Sequence, residues 1–165
     1  MVSSVNETVT PESVEEVFPG LICEWYFDKQ IVCYRLTQVS HARVEQWADF
    51  AISIIEKWDK DRPYLTLHDL STPGVSLQYA SIVDFDTTNI GVTAEGRKKV
   101  NALMAKHPDW LANVALNFSM SLSGQVNKLL AHRSQIQSFI SYKLFYSHEK
   151  SINWLMEFMV NRPED

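Results

Sequence analysis

A strand hairpin followed by a helix and a third strand is the arrangement that the first half of this sequence predicts. Apolar residues alternate through 21–36, interrupted by a short polar turn, which predicts two paired strands. Residues 40–60 then carry a wide apolar stripe at helical spacing, with Ser40 as N-cap. The segment 64–70 follows as another strand. A strand–helix–strand unit of this kind implies a parallel strand pair with the helix crossing over it.

The rest of the chain continues to alternate helices with strands. We expect these further elements: a short helix near 74–83, a helix at 93–107, a strand at 113–121, a helix at 123–140, a strand at 141–147 and a last helix at 148–160. The predicted class is α/β, with a single mixed, mostly parallel sheet of about five strands, an antiparallel N-terminal hairpin and about four to five helices. Residues 1–18 lack a clear hydrophobic period and are expected to form a flexible N-terminal arm, and 19–165 a single domain.

Charge and hydropathy argue against two classes of partner. The formal net charge of -5 leaves no basic surplus to neutralise a phosphate backbone, so we expect no nucleic-acid partner. No window approaches the ~20 apolar residues that span a bilayer, so we expect no membrane insertion. The first residues lack the basic start and apolar run of a signal peptide, which favours a cytoplasmic location.

The metal-ligating residue types are scattered along the chain. The five histidines and two cysteines form neither the close i, i+3 or i, i+4 pairs nor the Cys-x-x-Cys spacing that organises a metal site. We therefore expect no metal and no cofactor. Cys23 and Cys33 fall in the two strands of the hairpin and are expected to be reduced apolar fillers.

Two segments, YLTLHDLS at 64–71 and KLFYSHEKSINWL at 143–155, carry a family resemblance. The first resembles the LDLS or IDLS end of the central strand in the STAS family (the sulfate transporter and anti-sigma-factor antagonist domain), and the second resembles that family's final strand and helix. The divergent sporulation-antagonist-like branch is the most similar. With the order of elements, the likeness covers residues 21 to about 160. It implies a non-enzymatic regulatory or scaffolding domain that binds a regulatory protein partner.

The resemblance does not extend to the phosphorylation switch of the regulated members. In those proteins, a serine at the start of the helix after the central strand accepts a phosphate and changes the choice of partner. Aligned without gaps on Asp69 and Ser71, that position holds Val75, which has no hydroxyl, and Ser76 is its neighbour. The partner surface that we expect is the loop and helix start from Ser71 to Tyr79.

Polar residues near the carboxyl ends of the parallel strands suggest an alternative function. Ligands of open α/β sheets bind at this edge, where hydroxyls and helix N-termini can hold an anion. The second hypothesis is therefore a binder of a small apolar or anionic ligand at this rim. The candidate binding residues are Asp69, Ser71, Thr72, Ser76, Asn117, Ser121 and Ser123.

Two tyrosines are candidate interface residues. Tyr26 lies in the first hairpin strand, on the face opposite Trp25, and we expect that strand to be a sheet edge with unpaired backbone groups. Tyr79 lies in the long connection 71–92. A homodimer through the hairpin or through this connection is a further hypothesis.

A hydrolase is the remote alternative, suggested by His68, Asp69 and Ser71. A serine nucleophile needs a base within hydrogen-bond reach and a third group to orient that base. Neighbouring residues on a strand point to opposite faces, so His68 and Asp69 are not expected to converge. The sequence also lacks the Gly-x-Ser-x-Gly turn. We therefore assign no catalytic residue.

Overall fold

The computed structural model describes residues 8–82, 94–120 and 140–160. The described elements, in chain order, are β1 Ser13–Phe18, β2 Leu21–Tyr26, β3 Ile31–Leu36, α1 His41–Lys57, β4 Tyr64–Leu70, α2 Val75–Ile82, α3 Ala94–Ala105, β5 Ala112–Phe118, β6 Ile140–Phe145 and α4 His148–Met156. The helix predicted at 123–140 falls almost entirely outside the described residues. None of the helices in the described part is long and apolar enough to cross a membrane.

The six strands form one sheet in sequence order, β1 to β6. The pairs β1–β2 and β2–β3 are antiparallel, and the remaining neighbours are parallel. The predicted α/β class, with a mixed sheet and an antiparallel N-terminal hairpin, is confirmed, with six strands rather than five. Because β3 to β6 run in the same direction, their carboxyl ends share one edge of the sheet, which we call the rim.

The sixth strand is β1, which lies within the segment predicted to be a flexible arm. It pairs with β2, with Val14 opposite Glu24. The side chains of its first four residues are exposed, so backbone pairing holds that part of the strand, while Val17 and Phe18 pack against the core. Because β1 covers β2, the prediction that β2 is an edge strand is wrong. Tyr26 is only 1% exposed, because its side chain packs in the core cluster that includes Ile152.

Helices cover both faces of the sheet, and the alternation of strand residues divides the core in two. On one face, Trp47 of α1 and Met104 of α3 pack in the same cluster as Tyr34 of β3. On the other face, Ile152 of α4 packs in a cluster with Leu67 of β4. We call these the α1 face and the α4 face. The two cysteines, on opposite faces, are buried and free.

Serine N-caps fix where two of the helices begin. Ser40 accepts a hydrogen bond from the backbone N–H of Arg43 at 3.2 Å, which confirms it as the N-cap of α1. Ser147 accepts a bond from the backbone N–H of Lys150 at 3.3 Å and caps α4. The second cap makes His148 the first residue of α4, immediately after β6 ends at the rim.

Candidate binding site

Asp69, at the carboxyl end of β4, is the centre of a polar cluster on the α4 face. Its side chain is almost fully buried, with the residue 3% exposed. Oδ1 accepts the backbone N–H of Ser71 at 3.1 Å and the Ser71 hydroxyl at 2.6 Å. The Asn117 amide, directly opposite on β5, donates to the same oxygen at 3.2 Å. The structure thus brings together three of the predicted site residues, because neighbouring strand ends meet at the rim.

The other carboxylate oxygen of Asp69 faces two basic side chains. His148 Nδ1 lies 3.1 Å from Oδ2, and Arg35 Nε forms an ion pair with it at 3.4 Å. Arg35 also contacts Glu24 of β2, with 3.0 Å between Nη2 and Oε1. Arg35 and Glu24 were not among the predicted site residues. Four elements, β2, β3, β4 and α4, therefore meet through these charges.

Tyr26 completes the cluster, because its hydroxyl group contacts both Glu24 and His148. The Tyr26 hydroxyl donates to Glu24 Oε2 at 2.7 Å and lies 3.0 Å from His148 Nε2. Because the hydroxyl proton is donated to Glu24, the tyrosine oxygen is left as an acceptor facing Nε2. His148 therefore connects Tyr26 to Asp69 through its two ring nitrogens.

The titration of Asp69 and Tyr26 follows from these contacts. Burial opposes ionisation of Asp69, but hydrogen bonds from His148 and Ser71, together with the charge of Arg35, lower its pKa to about 2. Burial and the bond to Glu24 raise the pKa of Tyr26 above its ordinary value. Near neutral pH Asp69 is therefore a carboxylate and Tyr26 a neutral hydroxyl. We call Glu24, Tyr26, Arg35, Asp69, Ser71, Asn117 and His148 the Asp69 network.

The contacts of the Asp69 network do not supply a serine nucleophile. The Ser71 hydroxyl donates to the carboxylate of Asp69 rather than to an imidazole. The Nε2 atom of His148, where a base would act, is beside the buried hydroxyl of Tyr26. His68 lies on the α1 face, with its ring centroid 4.8 Å from that of Trp47, so the predicted separation of His68 from Asp69 is confirmed.

The contacts of the other described site residues, Thr72, Ser76 and Tyr79, lie outside this network. Thr72 accepts the backbone N–H of Val75 through its carbonyl, at 3.0 Å, in the turn before α2. Val75 and Ser76 are buried, and Tyr79, a candidate interface residue, is 0% exposed. Its side chain packs in the core of the α1 face rather than on the surface. Ser121 and Ser123 lie outside the described residues.

Ser76 ties the start of α2 to two strand ends. Its hydroxyl donates to the carbonyl of Leu70 at 2.6 Å and accepts the backbone N–H of Ser119 at 3.1 Å. We expect Ser76→Ala to lower the free energy of unfolding by about 1–3 kcal/mol, because both backbone groups lose a buried partner. Urea denaturation measures the change. Ser141→Ala, at an exposed position, is the matched control and should change stability by less than about 0.5 kcal/mol; equal effects would contradict this role of Ser76.

The loop after β4 and the start of α2 form an exposed surface beside the rim. Gly74 has a φ of +80°, which favours glycine in the turn that leads into α2. Leu77 is 57% exposed, and Met120, just after β5, is 70% exposed. The hydrogen bond between Ser76 and Ser119 holds their two chain segments together. We call the exposed residues Pro73, Gly74, Leu77, Gln78 and Met120 the loop–α2 surface.

Comparisons with known proteins add no assignment to this geometry. No protein-family model, curated protein or solved structure matches this chain. The STAS resemblance therefore rests on the two sequence motifs and on the order of the elements.

Proposed function

We propose that this chain is a STAS-like regulatory domain that acts by binding a partner protein through the loop–α2 surface. The observation that carries the proposal is the pair of exposed apolar side chains, Leu77 and Met120, on neighbouring segments at the rim. Neighbouring exposed apolar side chains on a folded domain are typical of protein contact sites. The surface also coincides with the region that the STAS resemblance implies for partner binding.

The local structure holds α2 against the sheet and leaves this surface uncharged. Val75 and Tyr79 anchor α2 in the core while Leu77, between them in sequence, points outward. A preorganised surface loses little side-chain and loop entropy on binding. Residues 71–79 include no charged side chain, so the complementary partner surface should be apolar and uncharged. We therefore expect the complex to depend little on ionic strength.

The burial of α2 also bears on regulation. Val75 stands at the position where regulated STAS proteins carry their phosphorylated serine, and its neighbour Ser76 is 1% exposed with its hydroxyl bonded to Leu70. A phosphate on Ser76 would require α2 to leave the sheet. We therefore propose that the loop–α2 surface is always available and that phosphorylation at these two positions does not control it.

The test is a charge placed in the middle of the surface. We expect Leu77→Asp to reduce recovery of the partner at least tenfold, because a carboxylate would be buried against an apolar surface without a counter-charge. The measurement is quantitative mass spectrometry after affinity capture from an extract of the native source, with the whole chain as bait. Raised salt should leave capture by the original chain unchanged.

Leu111 offers a matched control. It is 58% exposed, almost the same as Leu77, but precedes β5 at the amino end of the strand, away from the rim. Leu111→Asp introduces the same charge and should recover the same partner in the same amount as the original sequence. A partner lost equally in both variants, or in neither, would contradict binding through the loop–α2 surface. Thermal unfolding of both variants checks that the fold is retained.

A further inference from the structure

The α1 face contains a cavity between α1, α3 and the sheet. Its volume is about 70 Å³, and it is partly open to solvent. Aromatic side chains form much of its wall: Trp47, Tyr64, Trp110 and Tyr142. Among the described residues that line the cavity, none carries an acidic or basic side chain other than His68. The cavity is on the opposite side of β4 from the Asp69 network and nearer the amino ends of the strands, so it is distinct from the rim.

Three polar atoms of the lining residues have unmet hydrogen-bonding capacity. In the described part of the chain, Trp47 Nε1, Thr66 Oγ1 and His68 Nδ1 are buried without a hydrogen-bond partner. Trp47 is 2% exposed and His68 is 9% exposed. An unpaired buried polar group is unfavourable for the fold, so a molecule that pairs with Trp47 and His68 would remove that cost. The ring centroids of these two residues are 4.8 Å apart, so the rings are adjacent in the wall.

The charge state of His68 restricts what such a molecule can be. Burial lowers the pKa of His68 to about 3, so the imidazole is neutral near pH 7. A neutral imidazole has one N–H donor and one nitrogen acceptor, whereas the indole of Trp47 only donates. A carboxylate or phosphate would therefore enter the cavity without a counter-charge, which is unfavourable in an apolar site.

We propose that this cavity binds a small neutral alcohol whose ring or chain packs against the aromatic wall and whose hydroxyl bonds to Trp47 and His68. A hydroxyl accepts one hydrogen bond and donates another, so it satisfies the indole donor and the imidazole acceptor together. A cavity of about 150 Å³ encloses a benzene molecule. The smaller volume here, open on one side, fits a phenol-sized molecule with part of its ring at the mouth.

Phenol, toluene and benzoate are the probes that separate the parts of this proposal. They share a ring but carry a hydroxyl, a methyl group and a carboxylate. In calorimetric titrations of the whole chain, we expect phenol to bind saturably, toluene at least tenfold more weakly, and benzoate not at all. Phenol should also shift the indole N–H resonance of Trp47 in NMR spectra, since that proton gains an acceptor.

Two variants locate the binding. His68→Leu replaces the imidazole with an apolar side chain and so removes the hydrogen-bond acceptor. We expect it to weaken phenol binding at least tenfold while toluene binding is retained. Ala51→Leu extends a side chain into the cavity and should abolish the binding of both probes. Ala42→Leu, on an exposed position of the same helix, is its control and should bind phenol as the original chain does.

Three outcomes would overturn the proposal. Phenol binding that survives Ala51→Leu would place the probe elsewhere. Equal affinities for phenol and toluene would mean that the two nitrogens are satisfied by water rather than by the ligand. Absence of saturable phenol binding by the folded chain would mean that the cavity takes no such molecule. Because Ala51→Leu leaves Leu77 and Met120 untouched, its effect on partner capture reports separately on the protein-binding proposal.

Discussion

Replacing Asp69 with alanine is expected to lower the free energy of unfolding by about 3 kcal/mol. Removing one partner of a buried ion pair costs roughly 3–5 kcal/mol, because the other charge is left buried and uncompensated. The lower end of this range of costs applies here, because the side chains of Arg35 and His148 are 36% and 30% exposed and water can reach them. Ser71 and Asn117 lose their acceptor as well.

Urea denaturation near pH 7 measures the loss, and Asp109→Ala, on an exposed loop, is the control. The control should change stability by no more than about 0.5 kcal/mol. The loss of stability at low pH is a second measurement of the contribution of Asp69. Because folding lowers the Asp69 pKa from 3.8 to about 2, the carboxylate contributes roughly 2 kcal/mol of stability above about pH 5, which is lost as the pH falls towards 2. A near-neutral effect of Asp69→Ala at pH 7 would show that the Asp69 network does not stabilise the fold.

The central elements were predictable because burial leaves a periodic trace in their sequence. The helix α1 buries one face at helical spacing, and the strand β4 is a short run buried along its whole length. Both were expected within a few residues of their bounds. The strand β1 was missed for the opposite reason. Its residues Ser13 to Glu16 are exposed, so its sequence shows no apolar alternation, and only its pairing with β2 defines it as a strand.

The Asp69 network was only partly predictable. Asp69, Ser71 and Asn117 follow from the rule that parallel strand ends meet at one edge. Glu24 and Arg35 interrupt otherwise apolar strands, and charged residues in such positions indicate a buried pair. Their sequence did not show which charges would meet, because the strand register that places Glu24 opposite Cys33 and Arg35 opposite Asp69 is a property of the folded sheet.

The polar groups on the two faces of β4 have different surroundings, and the surroundings of His68 favour a ligand on the α1 face. On the α4 face, Asp69 accepts hydrogen bonds from Ser71 and Asn117 and faces His148 and Arg35. The rim carboxylate is thus committed to internal contacts, which leaves it little capacity for an incoming molecule. One residue earlier, His68 is buried beside a cavity with Nδ1 unpaired among the described residues. Among the described residues, buried polar atoms without a partner lie on both faces, including Arg35 Nε and Asn117 Oδ1 at the rim. Those of Trp47, Thr66 and His68 belong to residues that line the cavity between α1, α3 and the sheet.

The same histidine is expected to make the fold sensitive to mild acid. Burial lowers the His68 pKa from 6.5 to about 3, so the folded protein holds His68 neutral while the unfolded chain takes up a proton below about pH 6.5. Its contribution to stability is complete above that pH and falls by about 1.4 kcal/mol per pH unit between roughly 6.5 and 3. Lowering the pH from 7.5 to 5 should therefore cost about 2 kcal/mol through His68 alone.

Urea denaturation of the original chain and of His68→Leu, at several pH values between 7.5 and 5, isolates this contribution. This range lies above the titration of Asp69, so the two acid effects separate. We expect the free energy of unfolding to fall less steeply with acid in His68→Leu, by about 2 kcal/mol over the range. Ser141→Ala, at an exposed position, removes no titratable group and should keep the original slope. If the free energy of unfolding falls equally with pH in the original chain and in His68→Leu, His68 takes up a proton in the folded state. The cavity would then present a cation, which suits an anionic ligand rather than an alcohol.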